Sequence, residues 1–131
     1  MTKINFDKGT SVIVVDVYVE HKGRQKKVRM ALDTGATYMM IPWEVAESLG
    51  LEAEVSKERI DMITASGIEK VPLEKLDNVS VGTCEAKNVK AIIHDLPPKS
   101  YVDGLLGLSF LRNFHLHINF TEGIFELARN K

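Results

Sequence analysis

The sequence predicts an all-β fold, a closed or partly closed β-barrel with one or two short helices. Three features predict it. Short runs rich in β-branched residues recur between glycine, proline and polar turns. Several of these runs alternate apolar and polar residues, as half-buried strands do. Helical spacing is confined to one or two short stretches, and many short strands with few helices close most readily into a barrel.

Val12 to Val19 reads as the first strand, bounded by Gly9 and Gly23. His21-Lys22-Gly23-Arg24 turns the chain, and Gln25 to Leu32 returns. Val28, Met30 and Leu32 share one face, because strand side chains alternate. That face points to the core and delivers Asp33 to the strand end. Tyr38 to Ile41 is a further short apolar run. Pro42 starts a helix with Val45, Ala46 and Leu49 on one side and Gly50 as its terminator. Trp43 is assigned to the core.

Glu58 to Ala65 and Ile68 to Leu76 form the arms of a hairpin, with Ser66-Gly67 as its turn. Val79 to Gly82 and Lys87 to His94 are two more strands around a turn near Thr83-Cys84-Glu85. Leu96 to Ser100 is a loop, since Pro97 and Pro98 cannot join a ladder. Val102 to Leu108 is a buried strand pinched between glycines, and Ser109 to Asn113 is a short helix. Phe114, Leu116, Ile118 and Phe120 alternate with His115, His117 and Asn119, a half-buried strand. Glu122-Gly123 turns it, and Ile124 to Leu127 pairs back.

The 131 residues suffice for one domain with its own core, and the expectation is a single domain over 1–131. Apolar residues at 44% and charged residues at 27% are ordinary for a globular protein. A formal net charge of -1 gives no global field for nucleic acid or anionic membrane. The basic run Lys22 to Lys27 reads as a solvated hairpin tip. Cys84 is the one cysteine, so no intrachain disulfide is possible, and it is placed at a partly exposed turn. No stretch approaches the roughly 20 apolar residues of a membrane span, and the first residues hold no apolar signal core. A cytoplasmic protein is expected.

One stretch concentrates the chemistry: Ala31-Leu32-Asp33-Thr34-Gly35-Ala36-Thr37. An apolar strand runs straight into a carboxylate, which burial would penalise in its charged form. A glycine two residues on permits a sharp turn. The bland reading of Asp33 is a strand-end acid capping its own turn. Asp103 reads as a solvated loop acid. His115 and His117 share a strand face and could ligate a metal, but no third ligand has motif spacing, so no metal and no cofactor are expected.

These features together resemble the retroviral-type, or retropepsin-like, aspartic proteases, and most closely their cellular, microbial branch. The matching pieces are the Asp33 stretch, the Pro42 to Gly50 helix, the Ser66-Gly67 hairpin, and Gly104-Leu105-Leu106-Gly107-Leu108 followed by Phe110-Leu111. The match runs over about residues 10 to 128. The resemblance implies the barrel of that family and an aspartic endopeptidase. The chain has one Asp-Thr-Gly and no second Asp-(Ser/Thr)-Gly, so the resemblance implies a homodimer with the twofold axis between two copies of Asp33. Two carboxyls about 3 Å apart share one proton, activating a water that attacks a peptide carbonyl. By resemblance Thr34 bonds across the dimer, and Gly35 lets the loop approach the substrate backbone. Ala36 and Thr37 flank that substrate, and Ser66-Gly67 form the tip of a flap closing on it.

The chain departs from viral members at three places. Thr37 stands where they carry an acid, and Leu108 where they carry an arginine, so both partners of one ion pair are missing together, and Arg112 is a partial substitute. Viral dimers also interleave terminal strands, for which Ile4-Asn5-Phe6 and Ile124 to Leu127 are the candidate segments. Two rival readings stand beside the protease. One is a non-catalytic peptide-binding or dimerisation module on the same barrel. The other is a chain acting only within a larger assembly, on ubiquitin-like or other protein partners.

Overall fold

The computed structural model describes residues 1–129. The strands are β1 (Thr2–Asn5), β2 (Val14–His21), β3 (Arg24–Leu32), β4 (Met39–Ile41), β5 (Arg59–Thr64), β6 (Gly67–Val81), β7 (Cys84–Ile93), β8 (Gly104–Leu106), β9 (Phe114–Asn119) and β10 (Ile124–Arg129). Helix α1 covers Trp43–Ser48 and α2 covers Leu108–Leu111, with a 3-10 turn at Ala53–Val55.

Six strands close on themselves in the order β2-β3-β8-β4-β7-β6, because β6 returns to pair with β2. That closing contact is short and antiparallel, from Tyr18↔Ser80 to Glu20↔Asn78. The fold is therefore a closed barrel with two short helices, as the sequence predicts. Val17, Val19, Met30, Met39, Ile41, Leu76, Ile93, Leu106 and Phe110 fill it with no solvent exposure. Each such side chain contributes about 1.5–3 kcal/mol by leaving water. The pattern comes straight from alternation: in β2 Val15, Val17 and Val19 point in while Asp16 and Tyr18 point out.

Several boundaries shift for physical reasons. The β2–β3 hairpin turns on Lys22 and Gly23 alone, at φ 48° and 81°, the two positive angles a tight turn of this twist needs. Pro42 is the residue before α1 rather than its first. The two strands expected at Ile68–Leu76 and Val79–Gly82 are one 15-residue strand, β6. Its first part pairs with β5, and its second part is shared between β7 and β2, so tertiary pairing carries it through Asp77-Asn78. Cys84 is not at a partly exposed turn: it opens β7, is buried, and its thiol donates to the Leu127 carbonyl at 3.5 Å. Of the stretch Val102–Leu108, only Gly104–Leu106 is strand, and Leu108 already begins α2. Phe120 leaves the inward stripe of β9 and is 69% exposed, edge-on to Phe6. Trp43 is half-buried against the core.

A separate three-stranded sheet, β1-β10-β9, lies beyond the barrel. Here Ile4 pairs with Phe125 and Thr2 with Leu127 of the same chain, so the two terminal segments meet within one molecule. Phe125 and Leu127 anchor this sheet on the core with no exposure.

Phe110 packs against Phe114 with ring centroids 4.8 Å apart and is fully buried. Phe110→Ala is expected to cost about 3–5 kcal/mol, read as a lower denaturant midpoint with unchanged slope.

Candidate active site

The Asp33 loop is built by the strand that passes beneath it. β8 runs parallel to β3, with Leu32 opposite Leu106, and antiparallel to β4 through Met40 opposite Leu105. The ladder continues one step past β3: the Asp33 N–H donates to the Leu106 carbonyl at 3.1 Å. Beyond the loop, the Leu108 N–H donates to the Ala36 carbonyl at 2.8 Å. The segment from Asp33 to Ala36 is thus pinned at both ends to one strand and the helix that follows it.

This closeness demands glycine. A side chain at Gly107 would meet the Tyr38 carbonyl oxygen at 2.3 Å and the Ala36 carbonyl oxygen at 2.7 Å. One at Gly104 would meet the Met40 carbonyl oxygen at 2.3 Å. The glycines read in the sequence as pinching a buried strand are the points where backbone lies against backbone. Ser109 adds a cross-brace: its hydroxyl accepts from the Met39 N–H at 2.8 Å and donates to the Lys90 carbonyl at 2.7 Å. Sequence reading placed Ser109 only near a helix start, because both its partners are remote along the chain.

Within the loop, Asp33 Oδ1 accepts from the Gly35 N–H at 2.9 Å, and the Asp33 carbonyl accepts from the Ala36 N–H at 3.2 Å. Asp33 is half-buried rather than sealed in. Thr34, Gly35 and Thr37 are exposed, and Ala36 is half-buried.

Gly35, Ala36 and Thr37 border a cleft of about 510 Å³. Tyr38 continues their wall, β5 contributes Ile60 to Ile63, and Met40, Ile92 and Leu105 complete the lining. Most of these residues carry no chemistry-bearing motif, and in the sequence they read as ordinary strand residues. The alternation of Ile60, Met62 and Thr64 along β5 was the available signal. Asp61 is the one acid in this lining, and Lys70 on β6 holds it at 2.6 Å.

The β5–β6 hairpin borders the cleft through β5, and among the described residues its strand pairing to the barrel runs through β6. Its two-residue connection is Ala65-Ser66 rather than Ser66-Gly67; Gly67, at φ 122°, opens β6 opposite Thr64. The Thr64 hydroxyl donates to the Gly67 carbonyl at 3.1 Å and accepts from the Ser66 N–H at 3.2 Å. Ser66 and Gly67 are exposed at the tip and do not line the cleft. Ile63 and Ile68, paired across the hairpin near its tip, are 84% and 73% exposed.

The other residues singled out in the sequence lie elsewhere. His115 and His117 are exposed on the outer face of β9, and Asp103 is exposed before β8. Among the described residues no three histidine, cysteine or acidic side chains gather to hold a metal ion.

The barrel with its appended hairpin and glycine-locked Asp-Thr-Gly loop is a retropepsin-like fold. A retropepsin-like aspartic protease from Rickettsia conorii superposes with a TM-score of 0.74 over 96% of this chain and 88% of that one, at 24% identity, a likeness of fold. The pattern of the aspartyl protease family matches residues 15–110, and the chain belongs to that family. An uncharacterized protein in the cobV 5′ region of Sinorhizobium sp. is 29% identical over 92 residues. That match covers 70% of this chain, which spans only 38% of that protein.

Because the lock is backbone against backbone, Gly107→Ala is expected to cost about 1–3 kcal/mol and to displace the Asp33 loop. Denaturant unfolding and amide exchange at Gly35 and Ala36 would read the two effects.

Proposed function

We propose that the protein is an aspartic endopeptidase that hydrolyses peptide bonds through a water held between two Asp33 carboxyls, one from each copy in a homodimer. The observation that carries this reading is the intact Asp33-Thr34-Gly35 loop, fixed by β8 and opening onto a cleft under the hairpin. One chain supplies one such acid. The reaction needs two, because a lone carboxylate cannot both take the water's proton and stabilise the oxyanion.

In the pair, two close carboxyls hold one proton between them. The ionised one accepts a proton from water as the oxygen attacks the scissile carbonyl, and the neutral one donates to the developing oxyanion. Proton return to the amine nitrogen then releases both products. The Gly35 N–H on Oδ1 leaves the second oxygen of each Asp33 for this work. Thr34 reaches across to the other loop, and Gly35, Ala36 and Thr37 border the bound peptide. The hairpin tip at Ser66-Gly67 closes over it and excludes water. The substrate is an extended peptide or protein segment, and the catalytic unit is one domain over 1–131.

The Gly35 bond to Asp33 also suits an acid that merely caps its turn, as in a non-catalytic module. Cleavage of a quenched fluorogenic peptide library separates the two. Wild type is expected to cut, and Asp33→Asn to lose about 10²–10⁴-fold in rate while keeping its fold. Equal rates would leave only the binding module. In a mixing experiment, excess Asp33→Asn chain added to wild type is expected to suppress activity, because mixed pairs hold one ionisable carboxyl. Activity that merely dilutes would show that each chain works alone.

A further inference from the structure

The hairpin that borders the cleft stands on two unequal feet. β6 runs on from it as one 15-residue strand into the barrel, where β7 and β2 pair with it. β5 has no such continuation, and among the described residues it pairs with β6 alone. Just before β5, the Leu73 N–H donates to the Glu58 carbonyl at 3.0 Å, which again joins this foot only to β6. The ion pair of Glu58 with Lys90 reaches β7 at 3.6 Å. Both of its side chains are about half exposed, and such pairs contribute little.

One side chain ties this foot to the body of the protein. Arg59, the first residue of β5, donates through Nη2 to the Glu54 carbonyl at 2.8 Å and to the Ala53 carbonyl at 3.3 Å. Both carbonyls belong to the 3-10 turn Ala53–Val55. That turn is a fixed point. Ala53 and, just before it, Leu51 are buried in the core, and the Ser56 N–H closes the turn on the Ala53 carbonyl at 3.1 Å. A guanidinium carries its charge at every working pH, so these are charge-assisted bonds that acid or base does not switch off.

We infer that Arg59 is a positioning residue: it clamps the foot of β5 to the 3-10 turn and so holds the hairpin wall of the cleft in place for a bound peptide. This rests on the reading of the cleft as the peptide site. Arg59 does not line the cleft, whereas the next four residues, Ile60 to Ile63, do. Ile60 and Met62 alternate with Arg59 along the strand and are half-buried, so their side chains project on the opposite face. A hairpin held at one foot pivots about β6. Held at both, it must break the guanidinium bonds to do so. Releasing the clamp lowers the fraction of molecules whose wall stands ready, and apparent affinity falls by that fraction. Arg59 touches no reacting atom, so its loss falls on KM and leaves kcat in place.

The test pairs amide exchange with kinetics on the full chain. Arg59→Met keeps an apolar stem and removes the donors, and Arg59→Lys keeps the charge without the fork. Exchange is measured in chains that also carry Asp33→Asn, so that they cannot digest one another. Arg59→Met is expected to speed exchange across β5 about tenfold and to leave β3 and β7 unchanged. With Asp33 intact, it is expected to raise KM for a cleaved peptide about tenfold at a kcat within about twofold of wild type. Arg59→Lys is expected to recover part of both effects. Exchange in β5 unmoved by Arg59→Met overturns the clamp. Exchange that rises equally in β3 and β7, or a kcat that falls at unchanged KM, overturns the positioning role. These results leave peptide cleavage by wild type as it stands. A wild-type chain that cuts no peptide overturns the protease reading and the kinetic consequence together, and exchange in the Asp33→Asn chains still decides the clamp.

Discussion

The close approach of Gly104 and Gly107 to the backbone of residues 36 to 40 is the constraint on which the rest depends. Carbonyl oxygens at 2.3 Å from where a Cβ would stand leave no room for any side chain. That contact lets β8 lie between β3 and β4, one link in the ring that β6 closes on β2. The same contact brings the Leu106 carbonyl to the Asp33 N–H and the Ala36 carbonyl to the Leu108 N–H. The continuity of the barrel and the position of the loop thus depend on the same close approach. The loop that carries Asp33 is thereby seated on the backbone of β8 and the start of α2.

Stability and chemistry occupy different layers of the same strands. Met30 and Leu106 point into a sealed core, while Gly35 and Leu105, close to them in the chain, line the cleft. Alternation along strands makes this separation automatic. The hairpin of β5 and β6 behaves differently. It hangs from the barrel by one strand, and Ile63 and Ile68 near its tip are left in solvent. Exposed isoleucines and few buried contacts mark a segment that opens at low cost.

The terminal sheet adds a theme of self-pairing. By matching β1 to β10 inside one chain, the molecule pairs its two terminal strands with each other. What remains outward is β9, half apolar on one face and histidine-bearing on the other.

Local sequence determined a good deal here. Alternation in Val12 to Val19 and Phe114 to Ile118, the glycine turns and the Asp33-Thr34-Gly35 stretch made the barrel and its candidate acid legible, because they depend on near neighbours. Phe120 breaks the alternation because the hairpin turn intervenes, and the burial of Cys84 is not legible locally because its thiol meets the Leu127 carbonyl, far along the chain. The single length of β6, the Ser109 brace and the gathering of Tyr38, Met40, Ile60 and Leu105 around one cleft were decided only in three dimensions. Each depends on which strands become neighbours, and that is fixed by barrel closure and glycine-permitted backbone contact, not by any window of sequence.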